Sequence, residues 1–533
     1  MTELRTDIAV VGGGLGGVAA ALAAARSGLR VLLTEEYDWV GGQLTVQGTP
    51  PDEHPWIEQF GCTASYRRLR DGIRDYYRHW YPLSAAARRR PALNPGAGRV
   101  SALCAEPSAA HAVLRAMLAP HRASGLLDLR LGHRPVAATT DGDAVTSVTL
   151  RDLGSGEDVT VTAAYFLDAT ETGELLPLTG TEYVTGFESQ ADTGEPSAPA
   201  RRQPLNMQAA SWCFAVEHRA GEDHTIDKPD DYGFWRDYRP PYWPDRMFSM
   251  VAPKPQTLRP ATRVLIPDPA PGEPALQGLA GDLDLWAFRR VLARSSFEDG
   301  ALAGDVVIVN WPMIDYVEGP LYEVEPAAAA RHLAGARQMS LSFLYWMQTE
   351  MPRPDGSTGL PGLRLRGDVV GTADGLCMGP YIRESRRIRA VYTVTEQDVS
   401  LAIRGDRGAV AYEDSVGIGS YRIDLHPSTG GDNYIDVASS PFRIPLGALL
   451  PERMCNLLPA AKNIGTTHLT NGCYRLHPVE WNAGEAAGLL AAYCLRHRTT
   501  PHQVRAQPAR LADYQSALTG HGVEIAWPDI RGY

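Results

Sequence analysis

Lysine is almost missing from this chain: Lys228, Lys254 and Lys462 stand alone among 533 residues, and arginine carries the remaining positive charge. With the abundant alanine, this reads as a GC-rich coding bias. Paired cysteines are missing too. The seven cysteines (Cys62, Cys104, Cys213, Cys377, Cys455, Cys473 and Cys494) show no CxxC or CxxxxC spacing. That spacing excludes a redox-active dithiol motif and gives no clustered ligands for zinc, so no metal is expected. Unpaired cysteines suit a reducing compartment. The first strand begins by Asp7, which leaves no room for a leader; the expectation is cytoplasmic. No apolar run approaches the roughly 20 residues needed to span a bilayer. A net charge of −11 speaks against nucleic-acid and anionic-membrane partners. The basic run Arg88–Arg90 reads as a solvated loop. The rest, 44% hydrophobic and 21% charged, is the make-up of a globular protein. A chain of this length divides into two or more cores.

The most informative segment lies at the start. Asp7 to Val11 reads as a buried parallel strand, followed by Gly12-Gly13-Gly14-Leu15-Gly16-Gly17. Val18 to Ser27 is alanine-rich and favours helix. Gly28 ends it, Leu29 to Thr34 is a second strand, and Glu35 and Glu36 close that strand. This is a βαβ unit with a GxGxxG loop in its proper context. Gly12 permits the tight turn, Gly14 lets backbone approach a pyrophosphate, and Gly17 lets helix meet sheet. Leu15 opens the helix, whose free N–H groups and dipole favour phosphate. Glu35 lies at the distance expected of a ribose-binding acid.

The loop alone does not separate FAD from NAD. Val40-Gly41-Gly42-Gln43-Leu44-Thr45 follows within a few residues. It resembles the GG doublet of the glutathione-reductase-type FAD superfamily, whose loop runs along the FAD diphosphate and ribityl chain. The resemblance implies an α/β protein. Its parts are a Rossmann-like FAD-binding domain, an inserted β-meander, and a mixed α+β substrate or cap domain. FAD is the implied cofactor, with Gly42, Gln43, Leu44 and Thr45 among its contacts.

Leu129 to Ala138 reads as one strand, and Asp143 to Arg151 and Asp158 to Ala163 as two more, with turns at Gly142 and Gly154. They resemble the superfamily's meander, which would put Val136 at the adenine ring. Tyr165 to Thr170 resembles the strand whose end, here Ala169 and Thr170, approaches the dinucleotide. Glu171-Thr172-Gly173 departs from that pattern, which has an immediate glycine. Between Pro240 and Pro274 ten prolines, including Pro269, Pro271 and Pro274, rule out regular helix and central strand. Trp235, Tyr238, Tyr242, Trp243 and Phe248 near this stretch either line a pocket or anchor it. Ala327 to Gln348 has a helical pattern. The expected division is 1–184 for the first part of the FAD domain, 185–365 for the cap, 366–498 for the return to the FAD domain, and 499–533 for a capping helix and tail.

Tyr381 to Ile388 contains Arg383-Glu384-Ser385-Arg386-Arg387-Ile388. This block resembles the RESRRI motif of a group of bacterial FAD-dependent oxidoreductases, and the expectation is an internal ion-pair network of Arg383, Glu384 and Arg386. Asn456 to Gly488 resembles that group's second flavin-binding motif. Pro478 fits the first turn of a last helix, and the resemblance adds Asn463, Glu480 and Trp481 to the cofactor contacts. His468, Arg475 and His477 then fall in a loop at the flavin edge. His468 or His477 is a candidate base while hydride leaves to flavin N5, and Arg475 a candidate anchor for an anionic group. His426, before the Pro427–Gly431 loop, is a further candidate.

Three functions compete. The first is oxidation of a small molecule by hydride transfer to FAD, with oxygen or a separate carrier as acceptor, since a second GxGxxG unit is absent. The second is an NAD(P)H-dependent flavin monooxygenase of secondary metabolism, against which the Asp-Gly and Gly-Asp motifs of single-component hydroxylases are missing. The third is a non-catalytic flavin scaffold. One sequence leaves oligomeric state open.

Overall fold

The computed structural model describes residues 2–267, 284–353, 355–528 and 530. Pro269, Pro271 and Pro274 of the proline-rich stretch lie outside them.

Five parallel strands form the central sheet, in the order Leu457–Pro459, Tyr165–Asp168, Ile8–Val11, Val31–Thr34 and Leu127–Arg130. The strand Ile8–Val11 is buried along its length, as a strand covered on both faces must be. The helix Leu15–Arg26 follows it. The helix His477–His497 lies against that helix, and both present small residues every fourth position. A Cβ at Gly484 would stand 2.0 Å from the Gly16 carbonyl oxygen, and one at Gly488 2.4 Å from that of Ala20. Gly484 and Gly488 therefore serve close helix-on-helix contact.

Leu129 to Ala138 is not one strand. Leu127–Arg130 is the edge of the parallel sheet, and His133–Asp141 starts the meander after a turn at Gly132, whose φ is +69°. The meander strands His133–Asp141, Ala144–Asp152 and Asp158–Thr162 are antiparallel, and Thr2–Arg5 adds to them in parallel. Val136 is the unpaired residue of a β-bulge there, which re-aims the strand.

A second, antiparallel sheet runs in the order Arg290–Leu292, Val306–Val309, Phe214–His218 and Leu363–Leu365. The helix Pro326–Thr349 lays Ala336, Met339, Phe343 and Met347 over it, the i, i+3, i+4 stripe of an amphipathic helix. Trp235, Trp243 and Phe248 are buried in the same core. Those aromatics are anchors, and Trp235 sits on the short helix Tyr232–Asp237 rather than on a loop. The stretch after Pro240 holds one two-stranded pair, Val251–Pro253 with Pro260–Thr262. The helix Pro508–Gly520 is the last among the described residues. No helix among the described residues is long and apolar enough to cross a membrane.

Candidate functional site

The glycine loop packs against the end of the neighbouring strand. Gly12 has a φ of +100°, and a Cβ there would lie 2.3 Å from the Ala169 carbonyl carbon. Any side chain at this position is strained and blocked. Leu15 is fully buried. Glu35 Oε2 accepts the Gly13 N–H at 2.9 Å and Oε1 the Tyr37 N–H at 3.1 Å. Burial pushes the Glu35 carboxyl up to about 8, with Glu36 and Glu171 adding repulsion. Glu36 itself is half-buried. Thr170 donates its hydroxyl to Asp168 Oδ1 at 2.7 Å, closing the turn after that strand. Asn463 donates to the Asp168 carbonyl at 3.0 Å and ties the strand Leu457–Pro459 to the same point.

Gly41 and Gly42 bring a second loop over the first. A Cβ on Gly42 would stand 2.9 Å from Gly14 Cα and 2.5 Å from Glu171 Oε1. Leu44 and Thr45 are buried behind it, and Thr45 Oγ1 donates to the Val40 carbonyl at 2.7 Å. Gln43 donates to the Arg475 carbonyl at 3.0 Å and to the Glu480 carboxylate. Glu480 Oε1 also accepts the Gly16 N–H at 3.2 Å. Pro478 occupies the first turn of the helix His477–His497. Trp481 faces away: its Nε1 donates to Ser65 Oγ at 2.7 Å and its ring meets Tyr66 edge-on. It belongs to the packing of the helix Ala64–Trp80 and not to this cradle. Lys462 is 1% exposed, bonded to Glu171 and 3.8 Å from Glu480 Oε2. Burial works against its charge, but Glu171 and Glu480 more than offset that and raise its pKa.

His468, Arg475 and His477 do not share one loop or one task. A short helix, His468–Tyr474, replaces the expected loop, with Thr467 as N-cap. His468 Nδ1 lies 2.9 Å from Glu384, which is also bonded to Arg387. Arg387 reaches Glu188 at 2.8 Å. Burial raises the Glu384 carboxyl, but His468 and Arg387 bring it down to about 2, so His468 Nδ1 must donate. The buried arginine of this network is Arg387, not Arg386, which pairs with Glu323 nearer the surface at 2.6 Å. His477 has both ring nitrogens engaged by backbone: Nδ1 accepts the Asp52 N–H at 3.2 Å and Nε2 donates to the Thr49 carbonyl at 3.1 Å. Burial, with Lys462 and Arg475 nearby, lowers it to about 3. It is neutral, and neither nitrogen is left to take a proton.

Arg475 donates to Tyr381 Oη at 2.7 Å and to the Asp424 carbonyl at 3.1 Å. Two residues beyond Asp424, His426 Nδ1 lies 2.6 Å from Asp315 Oδ2. Asp315 Oδ1 is held by Arg383 at 3.0 Å and accepts the Ser211 hydroxyl at 2.6 Å. Burial would raise the Asp315 carboxyl, but Arg383 and His426 bring it to about 2. The ionised carboxylate is acceptor only, so His426 Nδ1 carries the proton and Nε2 a lone pair. Burial, and then Arg383, lower the His426 pKa below its ordinary value. Its side chain is 18% exposed while that of Asp315 is fully buried. Arg383 also lines a small open hollow of about 20 Å³, together with Gln208, Tyr316, Tyr322, Glu384 and Thr429 among others. Arg383 Nε and Gln208 Oε1 are buried there without partners.

Asp315, Tyr381, Lys462 and Glu171 did not stand out as site residues in the sequence. Asp315 had a signal: an acid that directly follows the apolar run Val306–Val309 and Trp311–Ile314 is buried with it. Lys462 had another, as one of three lysines and the one set in an Ala-Ala context.

A parallel sheet, a glycine turn and an acid on the second strand define a dinucleotide-binding α/β protein. The residues fit FAD's length. Two glycine loops leave backbone exposed to each other, and Gln43 Oε1 and Glu171 Oε1 are buried without partners between and beside them. The family model described as "FAD dependent oxidoreductase" matches residues 7–518. The chain belongs to that family of enzymes, and FAD is its cofactor. No curated protein sequence matches it. Among solved structures, the flavin-dependent monooxygenase PieE in complex with FAD and substrate shares 20% identity over 41% of this chain, with a TM-score of 0.24. This chain covers 36% of that protein's length, about a third. The myxobacterial chondrochloren halogenase CndH shares 16% identity over 42% of this chain and 46% of its own, with a TM-score of 0.23. A geranylgeranyl bacteriochlorophyll reductase-like protein from Thermoplasma acidophilum shares 11% identity over 98% of this chain and 85% of its own, with a TM-score of 0.32.

Proposed function

We propose that this enzyme oxidises a small organic molecule, with His426 as the base that accepts the substrate proton and Asp315 as the carboxylate that orients it. The observation that carries this reading is the Asp315–His426 pair, at 2.6 Å with one partner buried and the other partly exposed. It is the arrangement that fixes a tautomer and leaves one nitrogen free for proton transfer. Arg383 keeps Asp315 ionised, so the imidazolium formed on proton uptake is stabilised. Tyr381 and Arg475 form a polar clamp next to the pair, suited to an oxygen atom of substrate or cofactor. His468 and His477 are positioning residues in this reading.

FAD would be held by the N–H groups of Gly14 and Gly16, by Glu35 at a ribose diol, by Gly42 to Thr45, and by Lys462 at the pyrophosphate. Val136 is assigned to the adenine side and Ala169, Thr170 and Asn463 to the floor of the cradle. Bound FAD supplies a two-electron acceptor. The cap, 185–365, supplies Asp315 and most of the substrate wall, and oxygen or a separate carrier takes the electrons onward.

The test is anaerobic mixing of FAD-loaded protein with a panel of small alcohols, amines and cyclic ketones, and separately with NADPH. Loss of the oxidised flavin band with an organic substrate and slow reaction with NADPH is the expected result. Fast NADPH oxidation would contradict it and favour a monooxygenase.

A further inference from the structure

Three charged side chains crowd the point where the two glycine loops meet. Glu171 Oε2 is bonded to Lys462. Its other oxygen, Oε1, is buried and has no partner. That free oxygen stands 3.0 Å from where a Gly14 Cβ would be and 2.5 Å from a Gly42 Cβ. Glu480 is fixed 3.2 Å from the Gly16 N–H, at the N-terminal end of a 12-residue helix. Counting formal charges, two carboxylates face one ammonium. Any phosphate brought to this helix end meets the helix dipole and Lys462 as attractions, and Glu171 and Glu480 as repulsions.

Glu480 has replacement partners for its charge in Gly16 and Gln43. Glu171 has Lys462 alone. It also sits where the strand-end pattern departs from the superfamily's immediate glycine, so its carboxylate is an addition to the cradle and not part of the turn itself. Lys462 cannot relax toward solvent, being 1% exposed.

The geometry points to Glu171 and Lys462 as an opposed pair that sets how tightly the FAD pyrophosphate is held: Lys462 attracts it, and Glu171 both competes for that ammonium and repels the phosphate. This rests on FAD lying across the Gly12–Gly17 loop. The pair holds cofactor affinity below what the lysine alone would give.

The test uses full-length protein freed of its flavin and titrated with FAD, with ADP and with adenosine, which lacks phosphate. Glu171→Gln keeps size and hydrogen-bonding capacity, so the fold is retained, as a thermal melt will check. It is expected to bind FAD and ADP about tenfold more tightly and adenosine as the parent does. Because Lys462 is buried and Glu171 is largely shielded, most of that gain persists at high salt. Lys462→Met is expected to weaken FAD about a hundredfold, and the double variant Glu171→Gln/Lys462→Met to regain much of the loss. Unchanged FAD and ADP affinity in Glu171→Gln, or an equal gain for adenosine, overturns the inference and leaves the cofactor assignment standing. No FAD binding by the parent protein overturns both.

Discussion

The cradle and the polar region around His426 are built from opposite materials. The cradle is backbone brought close to backbone: Gly12 against Ala169, Gly42 against Gly14, Gly16 against Gly484. That polar region is side chain held by side chain, with His426, Asp315, Arg383 and Ser211 drawn from four separate segments. A backbone site tolerates no added atom, whatever charges surround it. A side-chain site tolerates changes of shape but fails when one partner of a buried pair is removed. The two regions therefore break in different ways.

The largest effect is expected in the cradle. A Cβ at Gly16 would lie 1.8 Å from the Ala460 carbonyl oxygen. Gly16→Ala should cost about 3 kcal/mol or more through forced backbone movement. Both the unfolding midpoint and the flavin content of the purified protein should fall. Retained flavin with an unchanged melt would show that this contact relaxes freely.

In the polar region, His426→Gln should keep the flavin and lower kcat/KM by about 10² to 10³. Steady-state kinetics beside a flavin absorbance ratio separates the two effects. Asp315→Asn should fall in the same range, since it loses the acceptor that fixes the tautomer.

His477 gives a subtler contrast, because it belongs to neither proton transfer nor cradle. Its folded pKa of about 3 lies below the ordinary histidine value of about 6.5. Above that ordinary value folded and unfolded states bind the same number of protons. As pH falls below it, the unfolded chain gains a proton that the folded one refuses, so stability drops. From pH 6.5 to 4.5 this amounts to about 2–3 kcal/mol. His477→Gln should show a flatter loss of stability over that window in urea melts, and an unchanged slope would remove the neutral-histidine assignment.

The smallest effect belongs to one of two neighbouring arginines. Arg386→Gln, at a partly exposed ion pair, should change stability by under about 1 kcal/mol. Arg387→Gln, which strands Glu384 and Glu188 in the interior, should cost about 3–5 kcal/mol. Paired denaturant curves distinguish them.

This contrast also explains what could be read from the sequence. Gly12 to Glu35 was legible because close backbone approach demands glycine at fixed spacing within one short segment. The RESRRI block was legible as an ion-pair network, but its members were not: whether Arg386 or Arg387 points inward depends on Glu188 and Glu323, far away in the chain. The boundary at Gly132 was missed because Leu129 to Ala138 is apolar enough on both sides of the turn to read as one strand. Trp481 was taken for a cofactor contact because a neighbour of Glu480 in the motif shares its position in sequence, yet one residue along a helix is a turn of 100° away. His426 reads as a candidate from the sequence and Asp315 does not, since its contact with the imidazole exists only in the fold.

The most direct measurement is the pH dependence of flavin reduction in anaerobic mixing with an oxidisable substrate, in the parent protein and in His426→Gln at matched flavin content. The account predicts that the parent's rate rises with pH through a single step below the ordinary histidine pKa and then levels, and that the variant is slow and lacks the step. A variant that keeps both the rate and the step would place the base elsewhere and contradict the account.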